Sequence, residues 1–157
     1  MLVTLLFAAR VLLGDPFPAA TLPALRGQTV ALPAAGHVVV VEVFATWCAS
    51  CHEALPIVER LRSRFGDRVI FLGVSEDDGD EARAKLGRMV EATGLTAPIL
   101  LDADHDLYNR LGIRKLPTAY VIDAEGVVRH IDNGFGPGYE KRLAGWIVQT
   151  LRAGSSR

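Results

Sequence analysis

The strongest constraint on the fold is a β-branched run that passes directly into a run with helical periodicity. His37–Phe44 contains five valines, and apolar residues occupy both alternating sets of positions. This pattern is typical of a central strand buried on both faces. The residues that follow, 48–65, have apolar side chains at intervals of three or four, which predicts a helix with one buried stripe. The stripe consists of Leu55, Val58, Leu61 and Phe65.

The rest of the chain continues the alternation of strands and helices. Alternating strands and helices favour parallel pairing, and a late hairpin adds antiparallel strands. The sequence therefore predicts an α/β fold with a central mixed β-sheet flanked by helices. The expected strands are Thr29–Leu32, Val69–Val74, Ile99–Leu101, Thr118–Ile122 and Val127–Ile131, and the expected helices are Asp80–Thr93, Asp106–Leu111 and Tyr139–Leu151.

Length, composition and charge narrow the class of protein. The 157 residues suit one domain, and 50% hydrophobic with 22% charged residues excludes a disordered chain. Seventeen basic residues against 18 acidic ones leave no positive excess for phosphates, so nucleic acid is not an expected partner. Two cysteines are too few for a four-thiolate zinc site or a scaffold of several disulfides.

The N-terminus begins with an apolar segment. Met1–Ala9 is shorter than the roughly 20 residues that span a bilayer, and no Lys or Arg precedes it. A strand or helix packed on the domain is the favoured interpretation, and a weak export or anchor segment is the alternative. We divide the chain into an apolar segment at 1–13, a domain at 14–152 and a polar tail at 153–157.

The chemistry of the chain centres on Cys48 and Cys51. Positions i and i+3 on a helix lie roughly 5–6 Å apart, which is near the separation that a disulfide needs. Cys48 is expected at the helix N-terminus, where the helix dipole stabilises a thiolate, the attacking species in disulfide exchange. Cys48 is therefore the predicted nucleophile and Cys51, one turn further, the resolving thiol.

Three other polar features lie near this motif. Glu42 is the one charged residue of the apolar strand. It is expected to point inward, where burial would raise its pKa and allow proton transfer to or from Cys51, and the alternative is that it reaches solvent from an edge. His52 either lowers the pKa of the Cys48 thiol or is simply solvated. The acidic turn at 76–80 is expected to form the N-terminus of the following helix rather than a metal site.

These motifs together resemble the thioredoxin superfamily. The shared features are Phe44-Ala-Thr-Trp-Cys48-x-x-Cys51, Pro56 and Leu116-Pro-Thr118, and 14–22 with the inserted helix and strand at 80–101 resemble the TlpA/ResA-like subfamily. The resemblance implies a thioredoxin-like fold with an N-terminal extension. It also implies a cis peptide before Pro117, facing the cysteines, and a substrate segment that lies along Leu116, Pro117 and Thr118, with Trp47 at the side. Glu42 stands at the position of the buried acid of thioredoxins.

The resemblance also implies partners and a location. Such proteins are bacterial, face the periplasm, are often tethered by an N-terminal segment, and reduce oxidised protein cysteines, including those of apocytochrome c. The expected partners are protein disulfides and an upstream electron-donor protein, and no cofactor is expected. Neutral Ala49 and Ser50 bring no cation that would stabilise the reduced pair, which favours a reductant. A cytoplasmic location stays open.

Other functions fit the motif less well. Cys48-x-x-Cys51-His52 also matches the c-type haem attachment pattern. A peroxiredoxin-like peroxidase would have threonine and proline where this chain has Ala45 and Val41. A zinc module would lack a fourth ligand. A redox-inactive binding module would normally have lost one of the two cysteines.

Overall fold

The computed structural model describes residues 10–155. Residues 1–9, which form most of the predicted apolar segment, and residues 156–157 of the predicted tail lie outside the described residues. The strands are β1 Ala20–Leu22, β2 Val30–Leu32, β3 Val38–Phe44, β4 Val69–Ser75, β5 Ile99–Leu101, β6 Thr118–Ile122 and β7 Val128–Asn133. The helices are α1 Ala49–Phe65, α2 Ala82–Thr93, α3 Asp106–Leu111 and α4 Tyr139–Gly154, with a 3-10 turn at Gly66–Arg68.

Five strands form the mixed sheet that the sequence predicted, in the order β5-β4-β3-β6-β7. β3 pairs parallel with β4 and antiparallel with β6, so it lies at the centre. The turn between β6 and β7 contains Gly126 at a φ of 83°, the positive value that a tight hairpin turn favours. The thioredoxin-like α/β fold is confirmed, and β1 and β2 add a small antiparallel hairpin.

Both faces of β3 are covered, which explains its run of valines. Val38, Val40 and Phe44 pack in the core beneath α1, α2 and α4. Val39, Val41 and Val43 pack in a second core with α3 and the N-terminal hairpin. Side chains alternate along a strand, so Glu42 belongs to the α1 and α4 side.

The ends of the described chain differ in their packing. Val11 is buried in the second core, whereas Leu12 and Leu13 are more than half exposed. α4 continues to Gly154, three residues beyond the predicted end at Leu151. Within residues 10–155, no helix combines the length and apolar character required to cross a bilayer.

Candidate active site

Cys48 and Cys51 form a disulfide at the point where β3 gives way to α1. Their Cα atoms are 5.3 Å apart. Cys48 is the N-cap residue of α1, and its Sγ accepts a hydrogen bond of 3.3 Å from the Cys51 amide. Cys48 is 7% exposed and Cys51 fully buried. The more accessible sulfur therefore lies at the helix terminus, where N–H groups and the dipole favour negative charge.

The Leu116–Pro117 loop lies beside the cysteine pair. The peptide bond before Pro117 is cis, as the resemblance implied. The Ser50 hydroxyl lies 3.5 Å from both Cys48 Sγ and the Leu116 carbonyl oxygen, so it connects helix and loop. Thr118 is fully buried, and its hydroxyl donates to the Lys115 carbonyl at 2.6 Å. The Thr118 side chain thus stabilises the loop from inside.

Trp47 is the most exposed large apolar side chain of residues 10–155, at 71%. It lines a cleft of about 710 Å³ that is bordered by the turn before α1, the acidic turn and α2. Both acidic and basic side chains line this cleft, and His105 lies 3.3 Å from Asp78 within it. The charged and imidazole residues among its lining are His52, Glu76, Asp77, Asp78, Lys85, Arg88 and His105.

Glu42 is completely buried, as the sequence predicted. The Tyr139 hydroxyl lies 2.8 Å from Glu42 Oε1 and 2.7 Å from Oε2 and donates to this carboxyl group. Burial raises the pKa of Glu42 from 4.5 to about 8, against the lowering effect of the Tyr139 hydrogen bond, and the nearby charge of Asp132 raises it further. A buried carboxyl with this pKa can take up and release a proton near neutral pH.

Asp77 occupies a place that the sequence did not predict. α2 begins only at Ala82 and has no acid in its first turn, so the expectation that the acidic turn forms its N-terminus is wrong. Asp77 instead accepts hydrogen bonds from the Thr46 amide at 2.9 Å, the Thr46 hydroxyl and the Ser75 hydroxyl at 2.7 Å. Through Thr46, these hydrogen bonds hold the turn before Cys48.

His52 is exposed, and its Nε2 donates to the Thr46 carbonyl oxygen at 2.9 Å. Thr46 is thereby held on its amide side by Asp77 and on its carbonyl side by His52. In the sequence, these contacts correspond to a threonine two residues before the first cysteine and an acid two residues after Ser75. The pattern can be recognised only once the two segments are known to be neighbours. Among the described side chains, no group of three or more His, Cys, Asp or Glu residues could hold a metal ion.

Comparison with known proteins agrees with this geometry. The model of the AhpC/TSA family matches residues 13–131. The thiol:disulfide interchange protein DsbE of Pseudomonas aeruginosa is 34% identical over 125 residues, which cover 76% of this chain and 65% of DsbE. The thiol-disulfide oxidoreductase YkuV of Bacillus subtilis is 33% identical over 114 residues, covering 66% of this chain and 75% of YkuV. The chain thus spans about two thirds of the first relative and three quarters of the second.

A solved structure gives the same fold. The structure from Chlorobium tepidum described as a thiol:disulfide interchange protein DsbE superimposes with a TM-score of 0.81 and covers 90% of this chain and 99% of its own. The two sequences are 22% identical, so this comparison supports the fold alone.

Proposed function

The chain belongs to the AhpC/TSA family as a thioredoxin-like thiol–disulfide oxidoreductase of the TlpA/ResA type, and from this premise we propose that it reduces protein disulfides through Cys48 and Cys51. The observation that carries the assignment of roles is the position of Cys48 Sγ. It caps the N-terminus of α1 and is the less buried of the two sulfurs. Both properties favour Cys48 as the attacking thiolate.

The reaction has two exchange steps. The Cys48 thiolate attacks one sulfur of the substrate disulfide, so that a Cys48–substrate bond forms and the substrate bond breaks. The thiol of Cys51 gives its proton to the Glu42 carboxylate and attacks Cys48 Sγ, which releases the second substrate thiolate. Two electrons and, after protonation, two protons reach the substrate. The Cys48–Cys51 disulfide remains and requires an upstream protein dithiol for its reduction.

The substrate lies on the exposed side of the pair. The Leu116–Pro117 loop is connected to Cys48 through the Ser50 hydroxyl, and the exposed Trp47 directly precedes Cys48 in the chain. In this proposal an extended segment around the substrate cysteine lies along the loop and against Trp47, while Thr118 holds the loop. Ala45 and Val41 replace the residues of the peroxiredoxin pattern, which favours disulfide exchange over peroxide reduction.

The resemblance to TlpA/ResA-like proteins supports a more specific proposal for the direction of electron flow, the location and the substrate. We propose a reductant that faces the periplasm and acts on oxidised cysteines such as those of apocytochrome c, with an N-terminal tether. Neutral Ala49 and Ser50 between the cysteines support the direction of electron flow. Equilibration with glutathione measures it, and a potential as high as that of strong oxidants would contradict it.

The decisive experiment is covalent trapping. We expect Cys51→Ser to accumulate a mixed disulfide between Cys48 and the partner, because the resolving thiol is gone. Cys48→Ser, the matched control, removes the attacking thiol and should trap nothing. Non-reducing electrophoresis followed by mass spectrometry identifies the linked cysteine and the partner. Trapping through Cys51 in the control, or in neither variant, contradicts the assigned roles.

A further inference from the structure

We propose that Tyr139 is a positioning residue whose phenol hydroxyl holds the buried Glu42 carboxyl and stabilises its ionised form. The use of that carboxyl by Cys51 rests on the function proposed above. The hydrogen bond itself is independent of the cysteine chemistry and can be tested separately.

The contact joins two distant parts of the chain. Glu42 lies in the centre of β3, and Tyr139 is the first residue of α4, 97 positions later. Both side chains are buried, and the hydroxyl is within 2.8 Å of both carboxyl oxygens. The Tyr139 ring packs against Phe135, with ring centroids 5.2 Å apart. Packing therefore fixes the ring, and the ring directs its hydroxyl at Glu42.

The carboxyl has few other polar neighbours. Its partners on the adjacent strands are Gly73 of β4 and Ala119 of β6, which carry no charge. α1 contributes the cysteine pair to the same core. No further side chain among residues 10–155 donates a hydrogen bond to Glu42.

Two charged groups act on this pair from a greater distance. Asp132 of β7 opposes ionisation of Glu42, and it is paired with Arg142 of α4 at 3.0 Å. Arg142 in turn lowers the pKa of Tyr139, which burial and Glu42 raise well above 10. The phenol therefore keeps its proton at neutral pH and remains a donor. It opposes the desolvation that raises the pKa of Glu42 to about 8.

The test compares Tyr139→Phe with Tyr120→Phe. Tyr120 is also buried, but it packs in the second core against Phe17. The carboxyl of Glu42 is titrated by ¹³C NMR in the oxidised protein, where neither cysteine titrates, and Glu42→Gln assigns the signal. Loss of a hydrogen bond to a charged group should move the wild-type midpoint near 8 upward by about one pH unit in Tyr139→Phe. Tyr120→Phe should leave it unchanged.

A kinetic measurement separates this proposal from the function on which it builds. We expect the pH profile for reduction of insulin disulfides to shift upward in Tyr139→Phe but not when Glu42→Gln is already present. A carboxyl midpoint that stays or falls in Tyr139→Phe overturns the proposal. If the midpoint rises while Glu42→Gln retains the wild-type pH profile, the positioning role stands and the catalytic use of Glu42 fails. Should Tyr139→Phe not fold, 3-fluorotyrosine at 139 gives a stronger donor, and the midpoint must fall.

Discussion

Two buried carboxyl groups flank the cysteine motif, and their surroundings differ. Glu42 lies in β3 among apolar neighbours and receives a hydrogen bond from one phenol. Asp77 follows β4 and accepts hydrogen bonds from one backbone amide and two hydroxyls. The first environment favours the neutral acid, and the second provides the donors that a carboxylate needs.

The two environments suit the two carboxyl groups to different roles, proton transfer for Glu42 and positioning of the turn before Cys48 for Asp77. Glu42 has one hydrogen-bond donor, and burial raises its pKa to about 8, so it can gain and lose a proton near neutral pH. It therefore suits proton transfer to or from Cys51. A carboxylate bonded by three donors is a fixed anchor, so Asp77 suits the task of holding Thr46 and the turn before Cys48. Each residue has an environment that matches one of these tasks.

The largest expected effect concerns the pH dependence of stability. The pKa of Glu42 is about 8 in the folded protein and near 4.5 in the unfolded chain. Above pH 4.5 the unfolded chain loses a proton that the folded protein keeps, so stability is full below pH 4.5 and falls as the pH rises toward 8. Between pH 4.5 and 7.5 this loss is about 3 kcal/mol. Glu42→Gln should abolish it.

Urea unfolding of the oxidised proteins across this pH range measures the effect. The informative quantity is the difference in unfolding free energy between the wild type and Glu42→Gln, because all other acids titrate in both proteins. A difference that does not change with pH would mean that Glu42 is ionised in the folded state, and the comparison with Asp77 would break down.

The second effect is a loss of stability on substitution of Asp77, whereas substitution of Glu42 removes a loss. Asp77→Ala leaves the Thr46 amide and the hydroxyls of Thr46 and Ser75 without their acceptor, and we expect a loss of about 2 kcal/mol at neutral pH. Asp78→Ala is the matched control, because Asp78 is an adjacent acid with a largely exposed side chain. Equal unfolding midpoints in urea for the two variants would contradict the anchoring role of Asp77.

Patterns within single segments predicted most of the fold. The valine run gave β3, and the apolar spacing over 48–65 gave α1, because each pattern has the period of its element. Helix Asp106–Leu111 and strand Thr118–Ile122 have the predicted bounds. The sequence also predicts the cysteine pair, and it favours burial of Glu42 because the valines around it indicate a strand covered on both faces.

Contacts between distant segments could not be predicted in the same way. The sequence predicts only that Tyr139 begins the final helix, and it is the packing of α4 against β3 that brings its hydroxyl to Glu42. The sequence predicts that the acidic turn interacts with the dipole of the following helix, whereas in the structure Asp77 accepts hydrogen bonds from Thr46 and Ser75. Packing of α4 on β3 sets the partner of Tyr139, and pairing of β3 with β4 sets the partner of Asp77. The periodicity of a single segment carries no information on either contact.

The smallest effect is expected at His52, on the carbonyl side of Thr46. Its hydrogen bond to Thr46 is exposed, so water can replace it, and His52→Ala should change the free energy of unfolding by less than about 0.5 kcal/mol. Because Asp77 still holds the Thr46 amide, the turn and the Cys48 thiolate should persist. We therefore expect the rate of Cys48 alkylation by iodoacetamide at pH 7, measured in a Cys51→Ser background, to stay within about twofold of the parent. His52→Gln controls for loss of the polar side chain. A tenfold slower reaction in both variants would contradict this expectation and show that the imidazole itself stabilises the thiolate.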